Sequence, residues 1–225
     1  MDYSKKALIC ANTAGFGSFL INDFKILIEN GYSVFFACNT LEHKWDDTKE
    51  KLQSLNVNVL HVNFDINKAI SKKNIQAYKE ISKIFKEHHF DFVHCHTPIV
   101  GVLVRLAAKR FRKKGTKVLY TTHGLPYTEY SKNTTKFIYR SIERKLAKIT
   151  DGIITINNDD FEEMKTTKCK NVYKIMGMGV DSSKFIDCKV NVSEYKTSVG
   201  LPQDKKIILS IGALTNRKNH QIVII

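Results

Sequence analysis

Residues 91–124 read DFVHCHTPIVGVLVRLAAKRFRKKGTKVLYTTHG, and this stretch sets the fold. A short apolar run ends in His94-Cys95-His96-Thr97, Pro98 opens a helical stretch with a Lys- and Arg-rich tail, and a second β-forming run ends in Thr121-Thr122-His123-Gly124. Period-two alternation puts His94 and His96 on one side of the first strand and Cys95 on the other. Thr97 before Pro98 predicts a helix start, with a side-chain oxygen at the N-cap and proline where no amide hydrogen is needed. Two successive strands with a crossing helix make a βαβ unit. In an open α/β sheet the carboxyl ends of parallel strands border the ligand crevice, so the histidines stand where chemistry is expected.

The rest of the chain repeats this alternation. Residues 7–11 are a buried first strand, followed by a glycine-bearing turn (Gly15, Gly17) into a helix over 18–29, which Gly31 stops. Further strands are predicted at 32–38, 57–62, 152–157, 172–176 and 206–211. Helices are predicted at 48–55, 75–88, 134–149 and 159–165. In the helix 75–88 the periodic apolar residues are Ile75, Tyr78, Ile81, Ile84 and Phe85, and in the helix 134–149 the expected buried stripe is Phe137, Ile138, Ile142 and Leu146. The predicted fold class is α/β, a Rossmann-like, mostly parallel sheet with helices on both faces. Residues 1–180 form this domain, 181–204 read as a polar hinge or linker, and 205–225 as the start of a second, truncated α/β domain, whose single βα unit has nothing to pair with.

Composition narrows the function classes. Hydrophobic residues at 43% argue for a packed core. Lys plus Arg number 36 against 22 Asp plus Glu, a net charge of +14, which favours an anionic partner or reflects a Lys-rich composition alone. Arg105, Lys109 and Arg112 share one predicted helix face, with Lys113 and Lys114 at its end, and Arg140, Arg144, Lys145 and Lys148 mark a second helix. Nucleic-acid binding rests on charge alone, since no helix-turn-helix, RNP or zinc pattern accompanies it, so no nucleic-acid partner is expected. The five cysteines are scattered without a C-x-x-C pair, which fits a reducing, cytoplasmic compartment. No apolar run nears the ~20 residues that span a bilayer, so membrane contact would be peripheral, at the inner face.

The turn carrying Gly15 and Gly17 is compatible with a backbone that approaches a phosphate, or with a tight βα turn that binds nothing. A dinucleotide fingerprint would need glycine at Leu20 and an acid near Asn39. His94 and His96 lack a nearby Cys or carboxylate to complete a ligand set, so no metal is expected.

Taken in order, the strand-end His94-Cys95-His96-Thr97-Pro98 with Gly101 and Arg105, then Tyr120-Thr121-Thr122-His123-Gly124, Thr150-Asp151-Gly152-Ile153-Ile154-Thr155-Ile156-Asn157, Gly179-Val180-Asp181 with Phe185, and Ser210-Ile211-Gly212 with Arg217-Lys218-Asn219-His220 resemble the N-terminal half of a family-4 glycosyltransferase of the GT-B fold, of capsular or exopolysaccharide type. The resemblance covers essentially the whole chain. It implies a nucleotide-sugar donor held mainly by a second domain, a lipid-linked or saccharide acceptor held mainly by the first, retention of anomeric configuration, and no required metal or cofactor. By position, His123 matches the catalytic histidine beside the transferred sugar, Gly15 and Gly17 the loop near donor phosphates or acceptor, and Lys218 the lysine that neutralises the donor diphosphate. His96 and Thr97 fall at the acceptor side of the cleft. Where many members carry an arginine after the strand-end glycine this chain has Ala213, and Arg217 is the candidate to supply that charge. The family's paired glutamates would lie beyond Ile225, so the expectation is a truncated chain, inactive in transfer by itself. The alternative is a non-catalytic binding or regulatory subunit that completes its cleft with a partner, motivated by the apolar Ile222-Val223-Ile224-Ile225.

Overall fold

Runs of Val, Ile, Phe and Cys flanked by turn residues favour buried parallel strands, and each is followed by an amphipathic stretch that can cover a sheet face. The computed structural model describes residues 5–41, 46–65, 68–128, 130–179, 182, 186, 189–215 and 218–223. In order it forms β1 (Lys5–Thr13), a 3-10 helix (Ala14–Leu20), α1 (Ile21–Glu29), β2 (Tyr32–Asn39), α2 (Asp46–Ser54), β3 (Asn58–His61), α3 (Lys72–Glu87), β4 (Phe92–His96), α4 (Pro98–Arg112), β5 (Lys117–Thr121), α5 (Asn133–Ala147), β6 (Gly152–Thr155), α6 (Asn158–Lys165) and β7 (Val172–Lys174). Val192–Ser198 follows as α7, and His220–Val223 as a second 3-10 helix.

Among the described residues seven strands make one sheet in the order β3-β2-β1-β4-β5-β6-β7, every pair parallel. The order reverses between β1 and β4, which opens a crevice at their carboxyl ends. Each sheet face carries its own core. On one, Leu8, Cys10, Val93 and Cys95 pack against Ala77, Ile81 and Phe85 of α3 and Val100, Val104 and Phe111 of α4. On the other, Ile9, Ala11, Val34 and Phe36 meet Leu20, Phe24 of α1 and Leu52 of α2. The Rossmann-like α/β sheet expected from the sequence is therefore present, with helices on both faces. The strand cysteines behave as small apolar residues, with Cys10, Cys38 and Cys95 at 0% exposure.

Several expectations are corrected. Thr97 precedes α4 and Pro98 takes the first helical position, but Thr97 makes no side-chain cap; its backbone stands at φ 64°, ψ 151°. Of the stripe expected inside α5 only Leu146 is buried. Phe137 and Ile138 are exposed, because Glu143 turns inward beside Leu146 and Ala147 to meet a buried arginine. That arginine is Arg105, placed by helical spacing on a basic face with Lys109 and Arg112 and in fact fully buried. Arg112 bonds Asp151 through two nitrogens, at 3.0 and 2.7 Å. On α3, Ile75 and Tyr78 face solvent.

The chain divides into Met1–Gly179 and Val180–Ile225. In the second unit Asn191 caps α7, its Oδ1 accepting from the amides of Ser193 and Glu194 at 3.1 and 3.4 Å. Residues 206–211, expected as a strand, form none among the described residues, and Ile208, Leu209 and Ile211 are exposed. A strand needs a ladder partner, and β propensity alone does not supply one.

Candidate functional site

Alternation along β4 points His94 and His96 away from Cys95, toward the face covered by α1 and the first 3-10 helix. Both rings are interior, at 5% and 1% exposure. His94 Nε2 lies 2.8 Å from Thr121 Oγ1, and its Nδ1 is 3.9 Å from Asp23 Oδ1. His96 Nδ1 lies 3.1 Å from Nε2 of half-buried His123. Phe16, from the 3-10 helix after β1, sets its ring edge-on to His123 at 4.9 Å between centroids and tilted to His96 at 5.8 Å. The 3-10 helix after β1, the last residue of β4 and the turn after β5 thus bring Phe16, His96 and His123 together at the crevice.

The rings are held neutral. Burial, with the charge of His123 adding to it, pushes His94 down to about 3. Burial and then the neighbouring imidazoles push His96 well below the ordinary histidine range, and burial brings His123 to about 4. Burial is the leading cause at each ring, because it penalises the charged form, and neighbouring imidazoles add to it at His94 and His96.

His123 owes its place to Asp160. Asp160 Oδ2 accepts from Thr122 Oγ1 at 2.8 Å and from the Leu125 amide at 3.1 Å, so one carboxylate oxygen brackets the turn on both sides of the histidine. Its own amide donates to Asn157 Oδ1 at 2.7 Å, the N-cap of α6. Gly124 stands at φ 102°, a conformation glycine reaches without penalty.

The other sequence-designated residues fall as follows. Gly15 and Gly17 lie inside the 3-10 helix rather than in an open loop. Gly17 is buried, and a Cβ there would stand 3.1 Å from both Phe36 and Thr48, so its lack of a side chain permits close packing. Thr97 is half-buried beside His96. Lys218 belongs to the second unit, exposed on a turn where its amide donates to Thr215 O at 3.0 Å. There His220 bonds Ser210 Oγ at 2.7 Å and Ala213 O at 3.2 Å. Arg217, Val180, Asp181 and Phe185 lie outside the described residues. Among the described residues no group of three or more His, Cys, Asp or Glu could hold a metal ion.

Sequence reasoning missed Phe16, Asp160 and a cleft of about 600 Å³ beside Gly124, lined by Tyr127, Tyr130, Lys136, Arg140 and Glu163. Arg140 Nη2 donates to Glu163 Oε2 across it at 2.6 Å. The signal for Asp160 was present, as an acid three residues after the N-cap Asn157, and the signal for Phe16 was an aromatic between two glycines.

The profile of Glycosyltransferase Family 4 matches residues 25–184. EpsD of Bacillus subtilis (strain 168), a glycosyltransferase by name, is 31% identical over 98% of this chain and 56% of its own length. The UDP-Gal:alpha-D-GlcNAc-diphosphoundecaprenol alpha-1,3-galactosyltransferase of Escherichia coli is 26% identical over 88% of this chain and 50% of its own. The chain spans about half the length of these curated relatives. Among solved structures, UDP-N-acetylglucosamine 2-epimerase from Rickettsia bellii matches with TM-score 0.55 and 15% identity, over 88% of this chain and 51% of that one, a likeness of fold.

Proposed function

The chain belongs to glycosyltransferase family 4, and we propose on that premise that it is the acceptor-side part of an enzyme that transfers a sugar from a nucleotide-sugar donor in surface or capsular polysaccharide assembly. The observation that carries this reading is the half-buried His123 at the carboxyl end of β5, set against Phe16 and His96 in the crevice of the sheet. A neutral histidine there can donate a hydrogen bond to the sugar as the bond between sugar and diphosphate breaks. Lys218, with Arg217, offsets the charge that develops on the departing diphosphate, a stabilisation that a preorganised cation provides without metal. The reading includes retention at the anomeric carbon, no cofactor, and an acceptor that is a saccharide or lipid-linked; the E. coli relative's name gives a diphosphoundecaprenol acceptor for that protein.

The corrected charge pattern supports a reading of one surface as membrane-facing. Among the described residues no helix is long and apolar enough to cross a membrane. With Arg105 and Arg112 engaged internally, the basic surface moves to a groove between α3 and α4 where Lys86, Lys109, Arg110 and Lys113 surround Tyr78 and Leu106. Cations near an anionic bilayer contribute about 1 kcal/mol each. We infer peripheral binding at the cytoplasmic face, checked by sedimentation with phosphatidylglycerol against phosphatidylcholine vesicles; equal binding to both would remove it.

The test of transfer uses this chain and a version joined to a complete second domain, assayed for hydrolysis and transfer with a panel of UDP-sugars. His123→Ala in the joined version is expected to lower kcat by about 10²–10³-fold, the range for loss of one preorganised donor. An unchanged rate would end the assignment of His123. One observation favours a second reading, a subunit that completes itself on another polypeptide: Ile208, Leu209, Ile211 and Leu214 are exposed. A monomer in light scattering with no copurifying protein would discard it.

A further inference from the structure

We propose that His96 is a positioning residue: its Nδ1–H donates to His123 Nε2 and so fixes His123 as the Nδ1-protonated tautomer, which offers a ligand a hydrogen-bond donor.

The proton can be placed by elimination. His96 Nδ1 and His123 Nε2 are 3.1 Å apart, so one proton lies between them. A neutral imidazole has one N–H and one bare nitrogen. Among the described residues His96 Nε2 is buried with no hydrogen-bond partner. If His96 carried its proton on Nε2, an N–H would be orphaned in the interior. If the proton is on Nδ1, only a lone pair is left unused. Orphaned buried N–H groups are rarer than underused acceptors, and each costs its full desolvation. His96 therefore donates from Nδ1. The nitrogen of His123 that accepts is Nε2, so its own proton sits on Nδ1, the ring nitrogen left to meet a ligand.

The surroundings keep this arrangement single. The His94 ring lies 4.1 Å from His96 between centroids, and Phe16 lies against His96 and His123, so the two paired rings are confined by apolar and aromatic faces. His94 turns its Nε2 to Thr121, and the carboxylate of Asp23 approaches His94 only at 3.9 Å. His96 is buried to 1% exposure, and the role proposed for it is exercised through His123. The consequence for a bound sugar rests on the reading of His123 given above; the tautomer does not.

The experiment is a two-bond 1H–15N correlation spectrum of this chain with ring-labelled histidines at neutral pH, with signals assigned through His96→Asn and His123→Gln. Both His96 and His123 are expected to show a protonated Nδ1 and a bare Nε2. A proton on Nε2 of either ring overturns the proposal. Asparagine places an N–H near the position of Nδ1, so His96→Asn is expected to keep the His123 tautomer. His96→Leu is expected to release it into a mixture, and a His123 still fixed as the Nδ1–H form in that variant also overturns the proposal. In the version joined to a complete second domain, His96→Leu should lower kcat at least about tenfold, in the direction seen when a catalytic histidine is left in the wrong tautomer, with KM for the UDP-sugar unchanged and rescue by asparagine. Fixed tautomers beside a fully active His123→Ala would sustain the pairing and remove only the role given to His123.

Discussion

Arg105 and Glu143 meet as a bidentate pair in the interior of the first unit, Nη1 to Oε2 at 2.9 Å and Nη2 to Oε1 at 3.1 Å, with side-chain exposures of 0% and 3%. The guanidinium also donates from Nε to Gly101 O at 2.8 Å and lies over the Tyr120 ring at 3.9 Å. Removing one partner leaves a buried charge without compensation. Arg105→Met is expected to destabilise by about 3–5 kcal/mol in urea unfolding, and the double change with Glu143→Leu to recover most of that loss. A double variant as unstable as the single would show that the pair does not act as a unit.

Gly101 is the next point of sensitivity. A Cβ there would stand 2.5 Å from Tyr120 Cε2, on a ring already covered by Arg105. Gly101→Ala should therefore cost about 1–3 kcal/mol by forcing α4 away from β5, although alanine is the better helix former. Stabilisation in the same unfolding assay would refute the close contact.

Asp160→Ala tests the bracket around His123. It orphans the Thr122 hydroxyl, which is fully buried, and the Leu125 amide, at about 1–3 kcal/mol. Its distinguishing readout is the His123 ring signal, shifted by the nearby Phe16 ring. That shift should shrink in Asp160→Ala and persist in Gly101→Ala at similar loss of stability.

The buried histidines give stability a pH dependence of defined sign. His94 titrates near 3 and His96 well below the ordinary range when folded, whereas the unfolded chain takes up protons at about 6.5. Above that value both states are neutral at these sites and nothing changes. Below it the unfolded state binds protons that the folded state refuses, so stability falls with pH, by up to about 1.4 kcal/mol per pH unit for each histidine, until the folded values are reached. Urea midpoints should therefore drop between pH 6.5 and 5, and drop less in His94→Gln. A flat profile over that interval would show the rings to be hydrated.

Residues 91–124 disclosed the fold because alternation and a proline after a threonine are local signals. The same locality hid Arg105. Its spacing from Lys109 and Arg112 reads as one basic face, and its true partner, Glu143, lies 38 residues away. That distant partner also turned α5, so Phe137 and Ile138 point outward against their helical pattern. His94 and His96 could be placed on one side of β4, but their separate partners, Thr121 and His123, depend on the register of β4 with β5. In the sequence Asp160 is only an acid in the predicted helix 159–165, since its contacts to Thr122 and Leu125 cross between elements.

Thr97 joins His96 to α4 with φ at 64°, where glycine is at ease and a β-branched residue is strained at a cost of order 1–3 kcal/mol. That junction acts as a preloaded joint. Relief of that angle would turn His96 relative to α4, so the strain persists only where the surrounding structure holds it. Glycine in its place would slacken the joint and let it bend in more than one direction. The threonine therefore exchanges comfort for a single angle of approach.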